Sequence, residues 1–462
     1  MSVAAVIRSA DGEARRDRRG RWSEAVFPAG PAVRVTWRGA VVAVVLVAAG
    51  TVLSLLRTQG HGAFDSIWAE DGNHFLNDAL NSTTDRTLLK GLNGYFVLLP
   101  RMIAELPTVL PIGWAPAVMS TLAALVTCLF ALFVYVASGA HLERPWLRFV
   151  VALPLVLGNV AGILTPNNIA TLQFAAMYTT FWALMYVPTG RWTRLAAGGI
   201  VVLTGMTTIL ILAFVPLALA RAWLRRDRWS YLLAGAVLLT TLVQGLSLVS
   251  GVNSREGLST TRIDPLWAFL EWLLWGVPAA VLGESWMRSP RDPALHAVRM
   301  VIVYAVIAAA IVLAARRFTR PAWGLALFAT VNSAAVLCLA MMGMGYPTDS
   351  YLVPDHLLQD TERYLMASAP MIIVALVALL RPREGASVRG WLPVALYTAL
   401  VVATCAAHYR VVQPRNYVES WSVTVERARA ECAARPDARS VEARYGGRIW
   451  YPWLMLPCEK VR

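Results

Sequence analysis

Residues 117–137 read AVMSTLAALVTCLFALFVYVA, twenty-one positions without a formal charge. As a helix this run rises about 30 Å, the thickness of a bilayer's hydrocarbon core. Gly39–Leu56 and Ala322–Met342 are equally free of charge. A backbone in lipid must satisfy its own polar groups, so only helices and closed barrels span it. The alternating ten-residue pattern of a barrel is missing. The chain is therefore expected to be all-α, a polytopic transmembrane helical bundle.

Composition agrees: 57% of the 462 residues are hydrophobic and 15% charged. The net charge of +14 is spread as short clusters between apolar runs. No basic stripe interleaved with aromatics is present, so nucleic acid is not the expected partner. Almost all basic residues are arginine, which suggests a GC-rich, actinobacterium-like genome.

Arginine also sets the register. Residues 1–36 form a polar tail containing Arg8, Arg15, Arg16, Arg18, Arg19 and Arg21. The positive-inside rule makes this tail cytoplasmic and sends the first span, about Trp37–Leu56, outward. No small-residue cleavage site follows, so the span reads as an anchor. Further spans are expected near 113–138, 147–164, 168–188, 195–221, 229–250, 297–315, 322–343, 364–380 and 390–408. This phase puts Arg144 and Arg148, Arg191 and Arg194, Arg221 to Arg228, Arg316 to Arg320, and Arg381 to Arg389 on one side. The stretch 195–221 is too long for one span, and Thr204-Gly205-Met206-Thr207-Thr208 reads as a break between two half-length helices. About eleven spans result. The transmembrane domain covers 37–408, with outer loops 58–112, 251–296 and 344–363. An external tail follows from 409 to 462, in a plasma-membrane protein whose N-terminus is cytoplasmic. Leu266–Leu282, interrupted by Glu271 and Pro278, is expected at the outer interface. Gly94–Leu106 is expected as an interfacial or re-entrant helix.

The first outer loop carries Trp68-Ala69-Glu70-Asp71-Gly72-Asn73-His74, with a short helix expected over Asn73–Leu80. A carboxylate beside aromatic rings at a membrane surface is partly desolvated, which moves its pKa toward that of a general base. A second carboxylate can hold a divalent metal such as magnesium or manganese, or act as an electrostatic partner. The plain alternative is an acidic loop in which Asp71 caps the helix that follows it. His61 and His74 flank the pair. Asp349, Asp355, Asp360 and Glu362 share another loop with His356, at spacings that match no strong ligand pattern.

The layout resembles the GT-C fold of glycosyltransferases. One span is followed by a loop opening on paired acids, then by Gly94-Tyr95-Phe96-Val97-Leu98-Leu99-Pro100-Arg101, an interfacial helix and a long span. The half-helices around Thr204–Thr208 with Pro216 and an arginine cluster are similar to that fold, as is Glu362-Arg363-Tyr364. The aromatic or proline-pair element usual after the first loop is replaced here by Leu99-Pro100-Arg101. The resemblance implies an inverting transferase that moves a sugar from a polyprenyl-phosphate donor to a cell-envelope glycan or lipid acceptor at the outer face. It assigns catalysis to Asp71 or Glu70, with Asp71 favoured. A phosphate needs a cation, for which Arg101 and Arg363 are candidates. Trp68, His74, Tyr95 and Tyr364 are the candidate substrate contacts. A transporter or flippase of lipid-linked saccharides is the main rival, and a non-catalytic scaffold a third reading.

Cys128, Cys338 and Cys405 fall inside spans and read as packing residues. Cys432 and Cys458 lie in the external tail, where a disulfide is expected. Closing that loop is worth on the order of 3 kcal/mol. A tail helix is expected over about Val418–Ala434.

Overall fold

A computed structural model describes residues 20, 22–30, 36–158, 160, 166–250, 264–283, 293–317, 319–344, 354–383, 385–410, 412, 414–446 and 453–461. The fold is a helical, multi-pass membrane bundle. Among the described residues, eight helices are long and apolar enough to cross a membrane, where the sequence suggested about eleven.

The first is α1 (Trp37–Leu55), and the loop after it holds α2 (Asn77–Asn81), α3 (Thr84–Leu89), a two-stranded hairpin of β1 (Gly91–Leu92) and β2 (Tyr95–Phe96), and α4 (Leu98–Ala104). There follow α5 (Ala115–Ala137), α6 (Pro145–Leu157), α7 (Leu172–Met185), α8 (Arg191–Gly205), α9 (Val215–Arg225) and α10 (Arg228–Ser250). The remaining bundle helices are α11 (Pro265–Glu271), α12 (Val277–Leu282), α13 (Pro293–Arg316), α14 (Arg320–Met344), α15 (Pro354–Leu380) and α16 (Val388–His408). The tail supplies α17 (Trp421–Ala434), β3 (Ser440–Arg444), β4 (Trp453–Pro457) and α18 (Cys458–Val461).

The differences in span count have physical causes. Helices α6 and α7, of 13 and 14 residues, are too short to cross alone, although the sequence placed full spans at 147–164 and 168–188. Helix α7 does not need to match the bilayer, because protein surrounds it. All its residues except Gln173 are buried, and α5, α8 and α15 pack around it. Helices α8 and α9 are the expected half-helices, parted at Met206–Thr208 and by a 3-10 turn over Ile209–Phe214. Helix α4 docks on that break: the Leu98 amide donates to the Met206 carbonyl at 3.1 Å and the Leu99 amide to the Thr207 hydroxyl at 3.1 Å. Gln244 of α10 ties both together, donating to the Phe96 and Gly205 carbonyls at 3.1 and 2.8 Å. An interior polar side chain thus satisfies the backbone groups that a broken helix leaves open.

Pro265–Leu282, expected at the outer interface, is long and apolar enough to cross a membrane by length and composition. A π-helical turn at Trp272–Gly276 divides it into α11 and α12. The chain nonetheless leaves the Gly94 end at Ser247, bonded to the Gly94 carbonyl, and reaches the opposite end at Arg317. Two full crossings would return the chain to the Gly94 end, so of Pro265–Leu282 and α13 only one makes the net passage between these ends.

The arginine clusters gather at that opposite end. Arg381 donates to the His141 carbonyl, whose ring meets the Met185 carbonyl at 3.3 Å. Arg383 donates to the Arg317 carbonyl at 2.9 Å, and Arg144 lies 5.3 Å from the Trp391 ring. Arg221, fully buried, donates to the carbonyls of Leu184 at 2.5 Å and Tyr186 at 2.7 Å. Five clusters far apart in sequence thus share one end of the bundle. Cysteines introduced at the exposed positions Ser82 and Arg226 are expected to react with an impermeant maleimide from opposite sides. Labelling of both from the same side would contradict the two-ended arrangement.

Candidate functional site

The acid pair lies on a tight turn at the end of the bundle remote from the arginines. Ala69 sits at φ +50°, a left-handed conformation that a residue with a Cβ adopts at some cost. It reverses the chain so that Glu70 and Asp71 open a π-helical turn over Asp71–Leu76, which continues into α2. The helix therefore begins two residues before the expected Asn73.

The two acids part company at once. Asp71 is 3% exposed and accepts backbone hydrogen bonds from Ile169 at 2.9 Å and Ala170 at 3.0 Å. It does not cap its own helix, as the plain reading held, but the loop that leads into α7. Burial pushes its carboxyl up to about 7, against the opposing pull of the two amides and of Arg415. Glu70 keeps 28% of its side chain exposed and stands 4.0 Å from the Arg363 guanidinium.

Around Glu70 the structure assembles most of the expected contacts. His74 and Tyr95 lie within its electrostatic reach, and burial lowers the one and raises the other. Tyr95 is bonded to Gln173, the one residue of α7 left partly open, and feels both Tyr364 and Arg363. Tyr364 packs edge-on against Phe174 at 5.2 Å, and Arg363 lies over the Tyr364 ring. The first loop, the β2 hairpin, α7 and α15 each give a side chain to one polar cluster.

Two expected members are elsewhere. Arg101 is fully buried, bonded to Asp78 at 3.0 Å and stacked over Phe75 at 5.4 Å, while Lys90 holds the other Asp78 oxygen at 2.6 Å. A guanidinium so committed is not placed to meet a lipid phosphate, and burial lowers its pKa while Asp78 supports its charge. Trp68 is 9% exposed and packs with Ala69 and Val418 beneath the turn. Among the described residues no group of three or more His, Cys, Asp or Glu is arranged to hold a metal ion. Asp71 has both oxygens on backbone amides, so it does not fit a metal ligand. Asp349 lies outside the described residues, as do the side chains of Asp355, His356, Asp360 and Glu362.

The tail contributes what the sequence did not signal. Tyr445, 1% exposed, donates its hydroxyl to the Ala69 carbonyl at 3.0 Å. It also fills the space beside Gly72, where a Cβ would stand 2.2 Å from that hydroxyl. Arg415 is buried and donates to the Ser66 carbonyl at 2.6 Å, the Asn167 carbonyl at 3.0 Å and the Ser120 hydroxyl at 2.8 Å. Burial brings its guanidinium down to about 10, with Asp71 opposing. Asp65 accepts from the Ser422 amide at 2.7 Å and the Ser420 hydroxyl at 2.5 Å, so it anchors the tail to the first loop. Cys432 and Cys458 are joined in a disulfide, tying α17 to α18 and β4.

Asp71 titrates in a way that can be measured. Its folded pKa stands above the unfolded value, so the unfolded chain releases its proton first. Stability from this group is full below about pH 4, falls as pH rises toward 7, and is level above. Asp71→Asn should remove that slope from a series of thermal midpoints. It should also cost about 1–3 kcal/mol at low pH, since the protonated acid still presents an oxygen to each backbone donor whereas the amide turns its NH2 toward one of them. A wild-type slope that survives the substitution would assign the titration to another group.

Set against known proteins, the chain matches no family model, and no curated protein is similar enough to count as a relative.

Proposed function

We propose that this membrane protein is an inverting glycosyltransferase, of GT-C-like layout, that takes a sugar from a polyprenyl-phosphate donor. The observation that carries the reading is the pairing of a partly exposed carboxylate with a partly exposed guanidinium, Glu70 and Arg363, at one end of an apolar bundle. A lipid-linked donor cannot leave the membrane, so its phosphate and a polar acceptor can meet only where bundle and aqueous loop join. That end is assigned to the outer face, with the arginine clusters cytoplasmic.

Glu70 is the general base in this reading and Asp71 a positioning residue, which reverses the preference drawn from sequence. The acceptor hydroxyl oxygen attacks the anomeric carbon and its proton passes to Glu70. The bond from that carbon to the phosphate oxygen breaks, and the electron pair leaves with polyprenyl phosphate. Arg363 stands to meet the charge that develops there, where a forked cation suits a phosphate. One displacement inverts the sugar carbon. His74, Tyr95 and Tyr364 bound the space for the sugar. Asp71 holds the α7 entry loop against the turn and so fixes the direction of Glu70.

The rival reading, a transporter of lipid-linked saccharides, is favoured by Glu271, a carboxylate inside the apolar Pro265–Leu282 segment. The two part on turnover. Purified protein incubated with labelled polyprenyl-phosphate sugars and cell-envelope acceptors should give a labelled, inverted product. Glu70→Gln should lower the rate by ~100- to 10,000-fold while donor binding changes little. Arg363→Gln should weaken donor binding as well as rate. Full turnover in Glu70→Gln would remove the assignment. Labelled lipid that crosses a vesicle bilayer without forming product would favour transport.

A further inference from the structure

Where α7 gives way to Val187 and Pro188, a cavity of about 280 Å³ opens at the arginine end. Val187, Pro188 and Trp229 line it together with Arg194, Arg225 and Arg228. Its one acid is Asp227, which is already engaged. Asp227 accepts from Arg225 Nε at 2.9 Å, from the Ser230 amide at 2.8 Å and from the Ser230 hydroxyl at 3.1 Å. Arg225 also donates to the Phe27 carbonyl at 2.7 Å. One guanidinium is thus balanced and held; Arg194 donates through Nε to the Pro188 carbonyl at 3.4 Å, and it and Arg228 are exposed and in charge excess.

The surroundings indicate the kind of anion. Trp192 and Trp223, on the helices that border the cavity, are 69% and 63% exposed, and Leu195 is 63% exposed. The Arg191 guanidinium lies 4.7 Å from the Trp192 ring. Open indole rings beside arginine mark the level of lipid headgroups, where an amphipathic ring has an apolar and a wet side. A soluble phosphate would need the guanidinium groups alone. A cavity with apolar walls that also opens among exposed apolar side chains fits a phosphate that carries chains.

We propose that this cavity binds the headgroup phosphate of an anionic phospholipid, with Arg194 and Arg228 on its oxygens and Trp229 and Pro188 against its glycerol. Forked guanidinium groups suit a phosphodiester, and basic pockets between helices are where such headgroups lodge. The site is separate from the acid pair and does not rest on the glycosyltransferase reading.

Native mass spectrometry of the detergent-purified protein tests this, with phosphatidylglycerol, phosphatidylcholine and inorganic phosphate as probes. Phosphatidylglycerol should be retained in preference to phosphatidylcholine. The double variant Arg194→Gln with Arg228→Gln should lower that retention about thirty-fold. Arg226→Gln, which removes a charge from the same turn outside the cavity, should leave it unchanged. Equal loss in Arg226→Gln, or no loss in the double variant, would overturn the site. Displacement by inorganic phosphate at comparable concentration would reassign it to a soluble anion and overturn the lipid. The comparison of the two lipids on the wild-type protein decides the matter even if the double variant does not fold.

Discussion

Helix α7 is held at both ends by buried ionisable side chains. The Asp71 carboxylate accepts from two amides at its entry, and the Arg221 guanidinium donates to three carbonyls at its exit. An acid at the entry and a base at the exit is the order that the helix dipole favours. Thirteen of its fourteen residues are buried, so water cannot satisfy the terminal groups. Both side chains come from elements distant in sequence. The helix at the centre of the bundle is therefore positioned by two side chains that are not its own, and the helices packed on it take their places from it.

The same device separates the roles of the adjacent acids. Asp71 is spent on structure, and its commitment presents Glu70 on the open side of the turn. In a turn as tight as Ala69–Gly72, neighbouring side chains must diverge, so one carboxylate entering the protein sends the next one out. The arginines divide alike. Arg101, Arg221 and Arg415 are buried and bonded to protein, whereas Arg363 keeps 32% of its side chain exposed beside Glu70.

Much of this was legible in the sequence. Runs without charge, such as 117–137, can only be helices in lipid, and the arginine clusters marked one end of the bundle before any contact was known. The break at Thr204–Thr208 and the Cys432–Cys458 disulfide could also be read, because a length that is one and a half spans and a pair of thiols in one tail have few solutions. The lengths of α6 and α7 could not. Apolar composition extends past both helices to residues such as Val160, Ile169 and Tyr186, which are buried by protein, and hydropathy does not distinguish protein from lipid. Nor could the difference between Glu70 and Asp71, since it depends on amides a hundred residues away. Arg101 misled for a related reason. Its partner Asp78 is twenty-three positions earlier, and no local spacing links them. Tyr445 gave no signal at all, being one of seven aromatic residues in the tail.

That tyrosine has a consequence for how the protein is made. The turn bearing the acids emerges among the first hundred residues, but its closing contacts come from Arg415 and Tyr445, separated from their partners Ser66 and Ala69 by 349 and 376 positions. Loop closure over such distances is slow compared with local helix formation. A nascent chain with every apolar helix inserted would still lack these contacts. The acid turn therefore acquires its bonds in two stages, first to Ile169 and Ala170 and then, after the bundle helices, to Arg415 and Tyr445.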